Sequence, residues 1–99
     1  MSRKVYVTKL RPEFREQYIE AHRHVAGEIL HRYREAGMRH CSVYLSGDSL
    51  VLIVDANDHA HLASTMADDP VDRAWQDYVR PMKADGDWQE AKELFSADL

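Results

Sequence analysis

The feature that most constrains the fold is a continuous apolar run within residues 49–55. Its central residues are Leu50, Val51, Leu52, Ile53 and Val54, so both alternating positions are apolar. Because neighbouring side chains of a strand point to opposite faces of the sheet, such a strand needs cover on both faces. Helices of the same chain can cover one face. In a chain of only 99 residues, we expect the other face to require a second subunit.

Two further strands and a long helix are predicted in the first half of the chain. Residues 3–10 and 40–45 are rich in β-branched and aromatic residues, which favour strands. The Ser-Gly-Asp sequence at residues 46–48 is typical of a hairpin turn. Between the first two strands, apolar residues recur at steps of three and four. This spacing predicts one helix over residues 12–36, with Gly37 as its C-cap.

Two shorter helices are predicted in the second half. Asn57 and Asp58 can cap a helix over residues 59–66. The pair Asp69 and Pro70 begins another, because aspartate is a good N-cap and proline fits the first helical position. The tail at residues 90–95 fits either a last helical turn or an edge strand.

The order of these elements is β-α-β-β-α-(α)-β, which is the ferredoxin-like α+β plan. Residues 1–99 are therefore expected to form a single domain, with its helices on one face of the sheet. The other face is free to pair with a partner and enclose a pocket.

Charge and composition exclude several classes of function. Thirteen basic and 17 acidic residues give a net charge of −4, which argues against nucleic acid and against a polybasic membrane anchor. A neutral small molecule suits this balance better. The single cysteine excludes an internal disulfide framework. We see no signal peptide and no apolar run of membrane-spanning length, so a cytoplasmic protein is expected.

Six histidines raise the question of a metal site. His22 and His24 lie two residues apart on the predicted helix, about 200° around it, so they cannot hold one ion together. The chain has no His-Glu-x-x-His or Cys-x-x-Cys sequence and no glycine-rich phosphate loop. We therefore expect neither a metal nor a cofactor.

Tyr18 and His22 are more informative, because residues four apart share one helical face. His22 is either a partly buried, hydrogen-bonded histidine or a general acid/base, since histidine can exchange a proton near neutral pH. Trp75 either continues an apolar helical stripe or offers an aromatic platform to a sugar, with Gln76 beside it as a polar contact. Trp88 could anchor a loop or line the rim of a pocket.

The whole chain resembles the L-rhamnose mutarotase family. The residues that carry the resemblance are Arg3-Lys4-Val5-Tyr6-Val7, Tyr18-x-x-x-His22, Glu28, Gly37-x-x-His40-x-Ser42-Val43-Tyr44-Leu45, Arg73-Ala74-Trp75-Gln76 and Glu93-Leu94-Phe95. No single motif is unique, but their order and spacing in a chain of this length are specific.

The resemblance implies a dimeric ferredoxin-like α/β barrel with a monosaccharide pocket between helix and sheet. It implies His22 as the proton-transfer group, with Tyr18 and Trp75 as sugar contacts. Gln76 stands where relatives have a second tryptophan. Cys41 stands where relatives have a sugar-contacting tyrosine. The implied reaction interconverts the α and β anomers of L-rhamnose by ring opening and closure, without a cofactor.

The sequence also departs from the family at several positions. Arg23-His24 follows the helical histidine where relatives have Asn-Pro, and Ala26-Gly27-Glu28 replaces Trp-Pro-Glu. With Cys41 and Gln76, these differences leave L-fucose or another 6-deoxyhexose open as the substrate. The same fold also admits a cofactor-free monooxygenase or a non-catalytic module that binds a small molecule.

Overall fold

The computed structural model describes residues 2–84 and 87–99, which form an antiparallel sheet covered by helices. The elements in these residues are β1 (Ser2–Lys9), α1 (Arg15–Arg23), α2 (Gly27–Glu35), β2 (Met38–Ser46), β3 (Ser49–Ala56), α3 (His59–Ala67), α4 (Pro70–Val79) and β4 (Gln89–Ala91). Short 3₁₀ turns at Pro12–Phe14 and Arg80–Met82 precede α1 and follow α4.

The four strands are ordered β2-β3-β1-β4, and every neighbouring pair is antiparallel. This order and the helical connections confirm the predicted ferredoxin-like α+β fold. The apolar run of residues 49–55 forms β3, one of the two central strands. Its central place explains why both alternating positions are apolar, since the middle of a sheet is where both faces most need cover.

The helices cover one face of the sheet, which we call the inner face. In register, Tyr6 pairs with Leu52, Val43 pairs with the same Leu52, and Cys41 pairs with Val54, so these side chains share the inner face. Two clusters of buried residues fill the space under the helices: Leu10, Tyr18, Leu50, Val79 and Met82 in one, and Ala36, Val54, Ala56, Leu62 and Met66 in the other.

The prediction of one helix over residues 12–36 is wrong. The chain leaves the helical conformation at His24 (φ −132°, ψ 49°) and at Ala26 (φ −61°, ψ 132°), and α2 then begins at Gly27. Glycine is a poor residue for the interior of a helix, which favours a new start there. Both helices pack an apolar face against the rest of the fold, with Tyr18 buried in α1 and Ile29 in α2. The apolar spacing therefore continues across the break, and the sequence pattern does not reveal it.

The other predicted elements lie close to their expected positions. Gly37 (φ 99°) and Gly47 (φ 58°) adopt left-handed conformations that end α2 and form the β2–β3 turn. The N–H of His61 donates to Asp58 Oδ1 at 3.1 Å, which caps α3. Only the start of the predicted tail belongs to an edge strand, β4 (Gln89–Ala91), and residues 92–99 are in neither helix nor strand.

The opposite face of the sheet, the outer face, carries apolar side chains. Register places Val5 beside Ile53, and Val7 and Tyr44 on either side of Val51. Val7 is 40% exposed and Tyr44 is 57% exposed. Among residues 2–84 and 87–99, no helix lies on this face, and neither buried cluster includes these five residues.

Candidate functional site

A cavity of about 440 Å³ lies between the inner face of the sheet and helices α1, α2 and α4. Tyr18, His22, Cys41, Trp75 and Gln76, all predicted from the sequence as site residues, line it together. Trp88 also contributes to the wall. Val43, Leu52 and Val54 of the sheet form an apolar floor. A volume of this size falls in the range of small-molecule sites.

The geometry of His22 fixes which ring nitrogen carries a proton. Its Nδ1 lies 2.8 Å from the backbone carbonyl oxygen of Tyr18. A carbonyl oxygen only accepts hydrogen bonds, so Nδ1 carries the hydrogen and donates it. Nε2 is then the nitrogen that can take up or release a proton. The hydrogen bond of Nδ1 therefore orients the imidazole ring, and Nε2 is available for proton transfer.

Aromatic contacts on two sides hold the imidazole of His22 in place. The ring of Tyr18 lies 4.3 Å from it, centroid to centroid, and the ring of Trp75 meets it edge-on at 5.3 Å. The i, i+4 spacing on α1 brings Tyr18 and His22 together, and packing of α4 against α1 adds Trp75. Both contacts restrict rotation of the imidazole inside the cavity.

Tyr18 is 4% exposed. Burial raises the pKa of Tyr18 to about 12, with a smaller contribution from the nearby Cys41 thiol. Its phenol therefore keeps its proton at neutral pH and can donate a hydrogen bond. It is not suited to act as a base there.

Lys83 and Trp88 form one edge of the cavity. The Lys83 ammonium lies 4.7 Å from the centroid of the Trp88 ring, at cation–π distance. Lys83 is only 2% exposed, and burial lowers its pKa. Trp88 also packs against the buried cluster of Leu10 and Met82. It is thus both an anchor for its segment and part of the cavity wall.

A polar cluster at the cavity joins α2 to α4. The hydroxyl of Tyr33 donates to Asp72 Oδ1 at 2.5 Å, and Gln76 Nε2 donates to the same oxygen at 3.3 Å. Burial, followed by the hydrogen bond to Asp72, raises the pKa of Tyr33. Sequence reasoning assigned Tyr33 to the apolar stripe and did not single out Asp72. The i, i+3 and i+4 positions of Asp72, Trp75 and Gln76 on α4 were the signal for it.

Cys41 lies on the inner face and His40 belongs to the part of β2 that turns outward. Cys41 pairs with Val54. Its side chain is exposed at the cavity wall, and partial desolvation there raises the pKa of its thiol. His40 Nε2 instead contacts the hydroxyl of Ser42. This arrangement separates the thiol from the neighbouring imidazole, as strand alternation requires.

Metal ligands and membrane spans are both absent from the described part of the chain. Within residues 2–84 and 87–99, no group of three or more His, Cys, Asp or Glu side chains could hold a metal ion. No helix in these ranges is long and apolar enough to cross a membrane.

The fold and the cavity define a small ferredoxin-like α+β protein with a site between its sheet and helices. The family model described as L-rhamnose mutarotase matches residues 3–97, so the chain belongs to that family. Membership implies an enzyme that interconverts sugar anomers. No curated protein matches the chain.

Solved structures support the same fold. A structure of L-rhamnose mutarotase from Formosa agariphila is 15% identical, with a TM-score of 0.78, and the match covers 99% of this chain and 100% of that one. An antibiotic biosynthesis monooxygenase is 14% identical, with a TM-score of 0.67 and coverage of 92% and 94%. Tetracenomycin F2 cyclase from Streptomyces glaucescens is 17% identical, with a TM-score of 0.67 and coverage of 100% and 99%. At these identities, the likeness concerns the fold alone.

Proposed function

We propose that the protein catalyses the interconversion of the α and β anomers of L-rhamnose, with His22 as the proton-transfer group. The observation that carries the proposal is the oriented imidazole. Nδ1 of His22 is committed to the Tyr18 carbonyl, and Nε2 is the nitrogen left for proton transfer. Family membership supplies the sugar, and the cavity supplies a place for it beside this nitrogen.

The reaction needs a proton moved to the ring oxygen and a proton removed from the anomeric hydroxyl. The doubly protonated imidazolium form of His22 donates its Nε2 proton to the ring oxygen while the bond from that oxygen to C1 breaks, which leaves the neutral ring with its hydrogen on Nδ1. The anomeric O–H gives its proton to water, and its electron pair forms the aldehyde. Rotation about C1–C2 and the reverse steps close the ring as the other anomer, and the proton returns to His22.

The remaining cavity residues bind and position the sugar. Trp75 offers an apolar indole surface to the C–H groups of the pyranose. The neutral phenol of Tyr18 donates a hydrogen bond to a sugar oxygen, and the Gln76 amide both donates and accepts. Cys41 is a short side chain on the cavity wall, which leaves room that a tyrosine would fill.

The test is anomer exchange in L-rhamnose at equilibrium, followed by saturation-transfer NMR. Saturation of one anomeric proton should transfer to the other only when the protein is present. His22→Ala should lower the exchange rate by about 10²–10⁴-fold, which is the usual contribution of positioned acid/base catalysis. His24→Ala is the matched control, because His24 lies just beyond α1 with its side chain 81% exposed.

A folded His22→Ala protein with wild-type exchange would contradict the role of His22. Absence of exchange with wild-type protein would contradict the activity itself for that sugar. Repeating the measurement with L-fucose decides between the two 6-deoxyhexoses. Oxygen uptake with a quinol substrate, in the absence of any exchange, would favour a monooxygenase.

We further propose that the protein acts as a homodimer, with a second copy covering the outer face of the sheet. The apolar side chains of Val7, Tyr44 and Val51 support this, since burial of a strand face against its own copy matches the two-fold symmetry of most small oligomers. A chain of 99 residues also gains more from additional burial than a larger one.

A further inference from the structure

Asp72 is a buried carboxylate that the proposed reaction does not use. It is 8% exposed and lies on α4, one turn before Gln76. A buried charge is costly unless it is paired or well hydrogen-bonded. Within residues 2–84 and 87–99, no basic side chain lies within ion-pair distance of it, and its partners are the neutral donors Tyr33 and Gln76. Burial of this carboxylate therefore costs free energy that its two neutral partners offset only in part, and a hydrogen bond from a ligand would offset more of it.

Both protein donors reach the same oxygen of Asp72. Tyr33 and Gln76 donate to Oδ1, and in the described part of the chain no protein donor reaches Oδ2. Asp72, Tyr33 and Gln76 all line the cavity that holds His22. Oδ2 is therefore the oxygen of Asp72 that remains to accept a hydrogen bond from a bound molecule.

The cavity has two chemically different sides. Tyr18 and His22 come from α1, whereas Tyr33 comes from α2 and Asp72 from the first turn of α4. The side chain of Trp75 contacts His22, and Trp75 is one helical turn along α4 from Asp72. The proton-transfer group and the carboxylate thus approach a ligand from different elements.

We propose that Asp72, oriented by Tyr33 and Gln76, is a specificity-determining subsite that accepts a hydrogen bond from a ring hydroxyl of a neutral sugar other than the anomeric hydroxyl. The subsite rests on the proposed function, since it assumes that the ligand is a sugar. A carboxylate binds hydroxyl donors strongly and repels anionic ligands, so neutral aldoses are favoured over sugar acids. Removing an acceptor from a site built for a hydroxyl is a strong discriminating change.

The test measures both binding and exchange in Asp72→Asn and Tyr33→Phe proteins. We expect Asp72→Asn to weaken the affinity for methyl α-L-rhamnoside by about 10- to 100-fold, the usual size of a hydrogen bond to a charged group. KM for L-rhamnose should rise by a similar factor while kcat stays unchanged. Tyr33→Phe should weaken binding less, because it removes only the group that orients the carboxylate. Asp77→Asn and Tyr78→Phe, at exposed positions of α4, should match the wild type.

Deoxy analogues of methyl α-L-rhamnoside that lack the 2-, 3- or 4-hydroxyl separate recognition from a structural role. One of them should bind the wild type about as weakly as the parent glycoside binds Asp72→Asn. Loss of the same hydroxyl should leave the affinity of Asp72→Asn almost unchanged, because the deoxy analogue and the substitution each remove the same hydrogen bond. Equal losses in both proteins for every analogue, or unchanged affinity of a folded Asp72→Asn, would overturn the subsite.

The two proposals fail in different ways. A wild type that binds the glycoside through Asp72 but shows no anomer exchange would contradict the mutarotase and leave the subsite standing. Exchange by the wild type, with a loss of kcat but not of affinity in Asp72→Asn, would overturn the subsite and leave the mutarotase standing. Tighter binding of a hexuronic acid than of L-rhamnose by the wild type would also overturn the subsite.

Discussion

At the scale of single residues, the cavity combines groups that keep their protons with one that can exchange them. Burial keeps the phenols of Tyr18 and Tyr33 protonated; Tyr33 donates to Asp72 Oδ1, and the Tyr18 phenol can donate to a ligand. His22 has its donor nitrogen committed to a backbone carbonyl. Among these three side chains, the imidazole is therefore the one suited to the proposed proton transfer, and the phenols are suited to hydrogen-bond donation.

Tyr18 should make the protein sensitive to alkali. Its pKa is raised to about 12, above the value of about 10 in an unfolded chain. A raised pKa contributes stability that is fully present below about pH 10 and is lost as the pH rises through about 12. We expect Tyr18→Phe to remove a late ionisation from the ultraviolet titration of tyrosine. We also expect its melting temperature to fall less between pH 10 and 12 than that of the wild type.

Measuring the two titrations side by side checks this prediction. Loss of an ionisation near pH 10 in Tyr18→Phe, with the late one retained, would show that the phenol is not desolvated in solution. Tyr78→Phe is the matched control, because Tyr78 is 49% exposed on α4, outside the outer face of the sheet.

Which site residues could be predicted depended on the sequence distance between partners. Tyr18 and His22 are four apart on one helix, so their contact follows from helical geometry alone. The partners Tyr33 and Asp72 are 39 residues apart and meet only because α2 and α4 pack together. Periodicity assigned Tyr33 to the core, because it reports which face is buried and not which polar group is buried with it.

At the scale of elements, local chemistry at helix ends determined most boundaries. Asp58 and Asp69 both cap helices as predicted, since an aspartate side chain can accept the first free N–H groups of a helix. The break between α1 and α2 was missed because no proline marks it. The low helix propensity of Gly27 is only a weak indication of a break, and the continuous apolar spacing favoured a single helix.

Asp69 can be tested directly, because it both starts α4 and ties it to α2. Its Oδ1 accepts from the N–H groups of Val71 and Asp72 at 2.9 and 3.1 Å, and its Oδ2 accepts from Arg32 at 2.8 Å. Asp69→Asn should lower the melting temperature by removing the ion pair while keeping the cap. Asp69→Ala should lower it further by removing both. Asp68→Ala, an exposed neighbour, is the control.

The pH dependence of this pair has a definite sign. The hydrogen bond from Arg32, with help from the backbone N–H groups, holds the pKa of Asp69 below its ordinary value. A lowered pKa contributes stability that is present above the unfolded value of about 3.9 and is lost as the pH falls through the folded value. The difference between wild type and Asp69→Asn should therefore be full at neutral pH and shrink in acid. A difference that persists unchanged in strong acid would contradict the ion pair as its source.

At the scale of the whole molecule, the strand order explains the feature that first constrained the fold. Two successive β-α-β units place β1 and β3 in the middle of the sheet and β2 and β4 at its edges. The most apolar strand then occupies a central position, where both faces need cover. The apolar residues at both alternating positions predict that both faces of β3 are covered, and the helices cover its inner face. The outer face, where Val7 and Tyr44 are exposed, has no such cover within the described residues.

A second copy on the outer face is expected to meet that requirement. Sedimentation equilibrium of the wild type should give twice the mass of the chain. Tyr44→Lys places a charge on the apolar face beside Val51 and should give a monomer, because a lysine covered by the second copy would be desolvated without a partner. Tyr78→Lys, at a tyrosine that is 49% exposed on α4, should remain dimeric.

A wild type of single-chain mass, or a dimer that Tyr44→Lys leaves intact, would show that the outer face is not the interface. The cavity lies on the inner face, so a folded Tyr44→Lys monomer should still bind sugar through Trp75 and Gln76.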